Sequence, residues 1–225
     1  MLLEIKPILS DKLFIKNPEQ SDLGQKIIQQ GVMLLHQIGF EQFTFKKLAI
    51  QIGTTEAGIY RYFENKHRFL HYLIAWYWTY MEFQIVFQLQ NMKNNKEKIK
   101  RIIQLLVIDH QENKDFSIFE KKLLYDIVIT ESSKVYLTKS VNADNHDNLF
   151  KPYKDLCARI ADLFSVYNPA YSYPHSLAST LVEMAHYQLF FSQHLPRLTD
   201  KKKNSDATKY VIQYLDNFVF SVLDK

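Results

Sequence analysis

TFKKLAIQIGTTEAGIYRYFENK, residues 44–66, reads as two short helices joined by a tight turn, with a lysine at the head of a third helix. Thr44 is a good N-cap for the first, because its hydroxyl can accept an otherwise unpaired backbone N–H. Leu48, Ala49 and Ile52 give that helix an apolar stripe at spacings of three and four. Gly53 tolerates the left-handed conformation that ends a helix. Thr55 is the next N-cap, and Ile59 and Phe63, four apart, face inward from the second helix. Ala49 is small where the two helices would cross closely. Two helices joined by a three- or four-residue turn make a helix-turn-helix, whose second helix can enter the DNA major groove.

The residues before this stretch extend the pattern. Gln25 to Ile38 has the periodicity of a helix, closed by Gly39-Phe40 and followed by Phe43-Thr44. Together these features resemble the DNA-binding domain of the TetR family of bacterial transcription regulators. The shared elements are the Thr-capped helix ending at Gly53, then Ile59-Tyr60, Phe63 and Lys66. The resemblance covers about residues 23–70.

The second helix of the motif also orders its side chains. At about 100° per residue over 56–62, Ala57, Gly58, Arg61 and Tyr62 fall on the side away from Ile59 and Phe63, with Tyr60 on a flank. The resemblance implies that Tyr60 and Lys66 hold phosphates and that Glu56, Ala57, Gly58, Arg61 and Tyr62 lie at the groove. Thr55 belongs to the same surface. Thr44 and Lys46 would reach phosphates from the start of the first helix, helped by its free N–H groups. The Arg61 fork can bond guanine O6 and N7 together, and a phosphate contact is the alternative. Glu56 departs from the family, where a basic or neutral polar residue is frequent. It could accept from cytosine N4 or favour the helix N-terminus electrostatically.

Composition bounds the rest. A chain of 225 residues can bury a substantial core. Hydrophobic residues at 47% and charged residues at 23% indicate a globular protein. The single cysteine, Cys157, excludes an intramolecular disulfide framework and fits a reducing cytoplasm. No apolar run approaches the roughly 18–20 residues of a membrane span, and MLLEIKPILSDK lacks the pattern of a signal peptide. The net charge of +4 permits DNA binding and no more. Residues 23–68 carry six basic and three acidic side chains, so the excess sits modestly on the motif.

Residues 1–22 read as an arm interrupted by Pro7 and Pro18, lying on the protein rather than reaching a groove. Further helices are expected over 66–92, 97–112, 116–130, 149–167, 174–194 and 206–223, with a loop and a helical turn over 132–148. No alternating strand pattern is present. The expected fold is all-α: the arm, a three-helix DNA-binding domain at 23–66, and a helical ligand-binding and dimerisation domain at 67–225. The helix starting near Lys66 should belong to both domains.

The aromatic fraction is 14%. In the family the C-terminal domain usually holds a small molecule, and Trp76, Tyr80, Phe83, Phe87, Tyr125, Phe164 and Tyr187 are the lining expected here. Tyrosines among phenylalanines suit a small apolar or aromatic ligand with a few polar handles. The late helices show apolar stripes at Leu177, Leu181, Met184 and Leu189, and at Val211, Leu215, Phe218 and Val222. The resemblance makes these the homodimer interface, and two heads on a two-fold axis would read a palindromic operator in double-stranded DNA. His67 and His71 are four apart but lack a third ligand, and read as a surface pair rather than a metal site. Asp109-His110 stands alone. No catalytic constellation, cofactor motif or metal motif is seen. The expectation is a cytoplasmic, ligand-responsive repressor. The alternative is a helical module that binds a small molecule or protein without specific DNA recognition.

Overall fold

A computed structural model describes residues 9–108 and 120–225. Its helices are α1 (Asp22–Gln42), α2 (Phe45–Ile52), α3 (Glu56–Tyr60), α4 (Lys66–Leu89), α5 (Asn95–Ile108), α6 (Lys121–Glu131), α7 (Ser133–Tyr136), α8 (Val141–His146), α9 (Lys151–Tyr167), α10 (Pro174–His194) and α11 (Ala207–Leu223). The described residues contain no strand, and the all-α expectation holds. Residues 132–148 form two short helices, more order than the expected loop with one turn. The expected ends near 112 and 116, and Asp109-His110, lie outside the described residues.

The chain divides into two compact units. One draws on Met1–Tyr80 and Gln111–Pro152, the other on Met81–His110 and Tyr153–Lys225. Helix α4 contributes its residues through Tyr80 to the first unit and those from Met81 to the second.

In the first unit α1 starts three residues before the expected Gln25, because the Ser21 hydroxyl accepts the Gly24 N–H. Gly39, at φ 71°, breaks its last turn. The start of α4 closes the core beneath α1–α3. Phe69 is fully buried, stacks on Phe43 at 5.4 Å and meets Phe63 edge-on at 5.1 Å. It presses on α1 at Gly31, where a Cβ would come within 2.4 Å of the ring. Of the stretch that precedes α1, the described residues from Leu13 to Glu19 contact this core. Leu13 is buried, the Ile15 N–H donates to the Tyr62 carbonyl at 2.8 Å, and Glu19 accepts the Tyr72 hydroxyl at 2.8 Å. Helix α6 packs on α1.

His71 corrects the reading of a surface histidine pair. It is buried, with its ring 5.0 Å from Phe150, because the first turns of α4 face α8 and the residues that follow it. Burial is the main cause that holds its imidazole down to about 4.

In the second unit α10, α11 and α5 pack against one another. This corrects part of the expected dimer interface. Leu177, Leu181, Leu189, Val211 and Leu215 are at most 5% exposed within the single chain, so their stripes hold these helices together. An apolar stripe marks a buried face without saying whether a neighbouring helix or a second chain buries it. Met184, Phe218 and Val222 remain partly exposed.

Candidate nucleic-acid interface

The motif is built by local capping. Thr44 Oγ1 accepts the Lys47 N–H at 3.2 Å and starts α2. Gly53 ends α2 in the left-handed region, at φ 70° and ψ 41°. Thr55 Oγ1 then accepts the Gly58 N–H at 3.1 Å and starts α3. Each threonine cap contributes about 1 kcal/mol. Leu48, Ala49 and Ile52 of α2 and Ile59 of α3 are buried, which leaves the outer sides of both helices to solvent.

That outer surface carries most of the expected residues. Thr44, Lys46, Thr55, Ala57, Tyr60 and Arg61 are exposed, and Glu56 and Gly58 are half-buried. The Tyr60 ring stands edge-on to Phe45 at 5.1 Å and is 46% exposed, so packing sets its direction while its outer part stays accessible. Arg61 follows the last residue of α3 with helical φ and ψ. Neutral side chains and glycine at 57–58 let a backbone approach closely, and a guanidinium beside them can donate two parallel hydrogen bonds.

Tyr62 is a correction. It is 4% exposed and its hydroxyl is 2.8 Å from that of Ser21. Helix α3 ends at Tyr60, so a 100° progression does not carry through to residue 62. The ring turns inward beneath the arm instead.

Lys66 is half-buried at the start of α4. Its ammonium donates to the carbonyl of Phe40 at 2.9 Å and to those of Glu41 and Phe43 at 3.3 Å each. It also lies over the Phe40 ring, 4.5 Å from the centroid.

Three supports of the motif have no local sequence signal. Lys26 on α1 donates to the Ile52 carbonyl at 2.9 Å and caps the end of α2. Glu131 on α6 accepts the Phe40 N–H at 3.0 Å. Lys134 on α7 donates to Glu131 at 2.7 Å and pairs with Glu41 at 3.1 Å. The Lys134–Glu131 pair is local, but the contacts to Ile52, Phe40 and Glu41 join residues tens of positions apart, beyond the reach of periodicity or capping rules.

The expected ligand-binding residues are divided between the two units. Trp76, Tyr80 and Tyr125 are buried in the first unit, where Trp76 stacks on Tyr80 at 5.7 Å. Phe164 is buried in the second. Phe83, Phe87 and Tyr187 are exposed, a correction to their place in an interior lining. Residues 66–89 carry apolar side chains all round the helix, so spacing alone could not say which side is inside. An open cavity of about 440 Å³ lies elsewhere in the first unit, with Glu64, His67, Arg68, His71, Lys134 and Asp144 among its walls. Two of these wall residues are paired, Arg68 donating to Asp144 at 2.8 Å. Among the described residues no group of three or more histidine, cysteine, aspartate or glutamate side chains could hold a metal ion. None of their helices is long and apolar enough to cross a membrane.

Comparison with known proteins places this geometry. Residues 27–73 match the family described as bacterial regulatory proteins, tetR family. The nucleoid occlusion factor SlmA of Vibrio atlanticus (strain LGP32) is 30% identical over 95 residues, which cover 42% of this chain and 48% of that protein. The match thus spans about half the length of the curated relative. Among solved structures, AibR in complex with isovaleryl coenzyme A and operator DNA superposes with a TM-score of 0.60 at 15% identity, over 87% of this chain and 98% of that one. The fatty acid degradation regulator FadR from Bacillus halodurans gives a TM-score of 0.60 at 17% identity, over 86% and 92%. Identities this low establish a shared fold. The family resemblance read from residues 44–66 is borne out.

Proposed function

We propose that this chain, whose residues 27–73 carry a tetR-family domain, is a ligand-responsive repressor that binds a palindromic operator as a homodimer in the cytoplasm. The observation that carries this reading is the outer surface of α2 and α3. Thr44, Lys46, Thr55, Ala57, Tyr60 and Arg61 are each exposed on or beside helices whose apolar residues pack into a core closed by Phe69, which supports reading them as one surface. Glu56 and Gly58 complete it. Lys46 and Tyr60 supply phosphate contacts, which set affinity and register, and Arg61 supplies base readout. The functional division is an arm at 1–22, a DNA-binding domain at 23–66 and a ligand-binding and dimerisation domain at 67–225.

Coupling would run through α4, whose first turns hold Phe69 in the DNA-binding core and whose later turns bury Trp76 and Tyr80. A small apolar or aromatic ligand bound against these rings would favour one tilt of α4, and DNA affinity would fall only as far as the ligand prefers that state. AibR, solved with both an acyl coenzyme A and operator DNA, supports looking for such a ligand. The remaining apolar surface of Met184, Phe218 and Val222 is where a second copy would add to the buried stripes.

The test is a titration onto labelled DNA flanking the protein's own gene, against shuffled DNA, at two salt concentrations. Preference for the flanking DNA by roughly a thousandfold is the expected result. Weak binding, equal on both DNAs and lost with salt, would favour the module without specific DNA recognition.

A further inference from the structure

An ammonium group has three donors. In Lys66 all three have acceptors within 3.3 Å: the carbonyls of Phe40, Glu41 and Phe43. Phe40 and Glu41 lie in the last turn of α1, where carbonyls lose their intrahelical partners and a cation is favoured. Phe43 directly precedes Thr44, the N-cap of α2. The same turn of α4 that carries Lys66 also carries Phe69, which stacks on the Phe43 ring at 5.4 Å. The head of α4 therefore holds Phe43 twice, by its carbonyl and by its ring. Phe40 is held as well, beneath the Lys66 ammonium at 4.5 Å and with Lys134 over its ring at 5.4 Å.

We propose that Lys66 is a positioning residue for DNA binding, which fixes the N-terminal end of α2 through three main-chain carbonyls and does not itself hold a phosphate. A phosphate contact would require breaking at least one of these bonds, and each charge-assisted bond in a half-buried site costs more to lose than a neutral one. The residues placed by the clamp are Thr44 and Lys46, at the start of α2, so the inference rests on the DNA-binding reading above.

Two measurements test it. The first compares wild type with Lys66→Gln and Lys66→Arg for affinity to the selected DNA across a salt series. Both variants should bind about tenfold or more weakly, the scale of one lost charge-assisted bond. The slope of log affinity against log salt should stay at the wild-type value. Arginine should fail to rescue, because a planar fork cannot converge on three carbonyls arranged around one point. A phosphate contact would give the opposite result. Glutamine would lower the slope by about one, arginine would restore binding, and the proposal would fall.

The second measurement uses wild type alone. Amine acylation of the DNA-free protein should modify Lys66 more slowly than the exposed Lys46, and adding DNA should protect Lys46 without further protecting Lys66. Labelling of Lys66 as fast as Lys46 in the free protein overturns the clamp. If wild type binds no DNA at all, slow labelling of Lys66 still supports the clamp while the DNA-binding reading fails. The labelling result also decides the matter if a variant does not fold.

Discussion

Glu131 Oε1 accepts the backbone N–H of Phe40 at 3.0 Å, across 91 residues of sequence. The bond is needed because Gly39 leaves helical geometry there and strips the last turn of α1 of its regular pairing. Removing the carboxylate leaves a buried donor unpaired and frees Lys134 from its closest partner. Glu131→Ala should lower stability by about 1–3 kcal/mol, read as a lower urea midpoint with unchanged slope. Glu131→Gln keeps an acceptor and should lose less. Equal midpoints for wild type and the alanine variant would mean that the N–H finds another partner.

Arg61 tests base readout. Arg61→Ala should cost about 1–3 kcal/mol on the selected DNA and much less on shuffled DNA, because a base contact carries sequence information. Lys46→Ala serves as the contrast and should weaken both DNAs alike while reducing the salt slope by about one. Binding curves for both variants on both DNAs settle the assignment. A uniform loss with Arg61→Ala would make it a phosphate ligand.

Gly31 has no room for a side chain, since its Cβ would lie 2.4 Å from Phe69 Cζ. Gly31→Ala should destabilise by about 1–3 kcal/mol despite the better helix propensity of alanine, because Phe69 is fixed by Phe43 and Phe63 and cannot yield cheaply. Adding Phe69→Leu should recover part of that loss in a double-mutant cycle. Strict additivity of the two changes would exclude the clash as the cause.

His71 predicts a pH dependence. Burial is the largest influence on its imidazole, with Arg68 acting in the same direction and Asp144 opposing, and the result lies at about 4 against an ordinary 6.5. Fully buried His186 is likewise held down to about 4 by burial. In both cases the unfolded chain binds more protons between about 4 and 6.5, so stability rises with pH across that window and is lost as pH falls through it. The effect is about 1.4 kcal/mol for each pKa unit. Urea midpoints measured from pH 7 down to 4 should fall, and His71→Leu should flatten the curve. An unchanged slope in that variant would show that His71 titrates alike in the folded and unfolded chain.

The helix-turn-helix was legible because its determinants are local. The caps at Thr44 and Thr55 bond to N–H groups three residues on, and Gly53 needs only its own backbone freedom. Apolar spacing identified Leu48, Ile52, Ile59 and Phe63 as buried for the same reason. The failures came where one residue's environment is supplied by distant chain. Tyr62 turns inward to meet Ser21, 41 residues earlier, and Phe83 and Phe87 face outward from a helix with apolar residues on every side.

The sequence by itself determined the all-α class, the position of the motif and the capping that starts and stops its helices, since these depend on interactions within a turn or two. Tertiary structure alone decided what covers each apolar stripe and where each long side chain ends. Leu181 and Leu215 pack within their own chain, His71 is buried, and Lys66 spends its three donors on carbonyls 23–26 residues away. Periodicity reports that a face must leave water, and the hydrophobic effect is non-directional, so only the fold selects the partner.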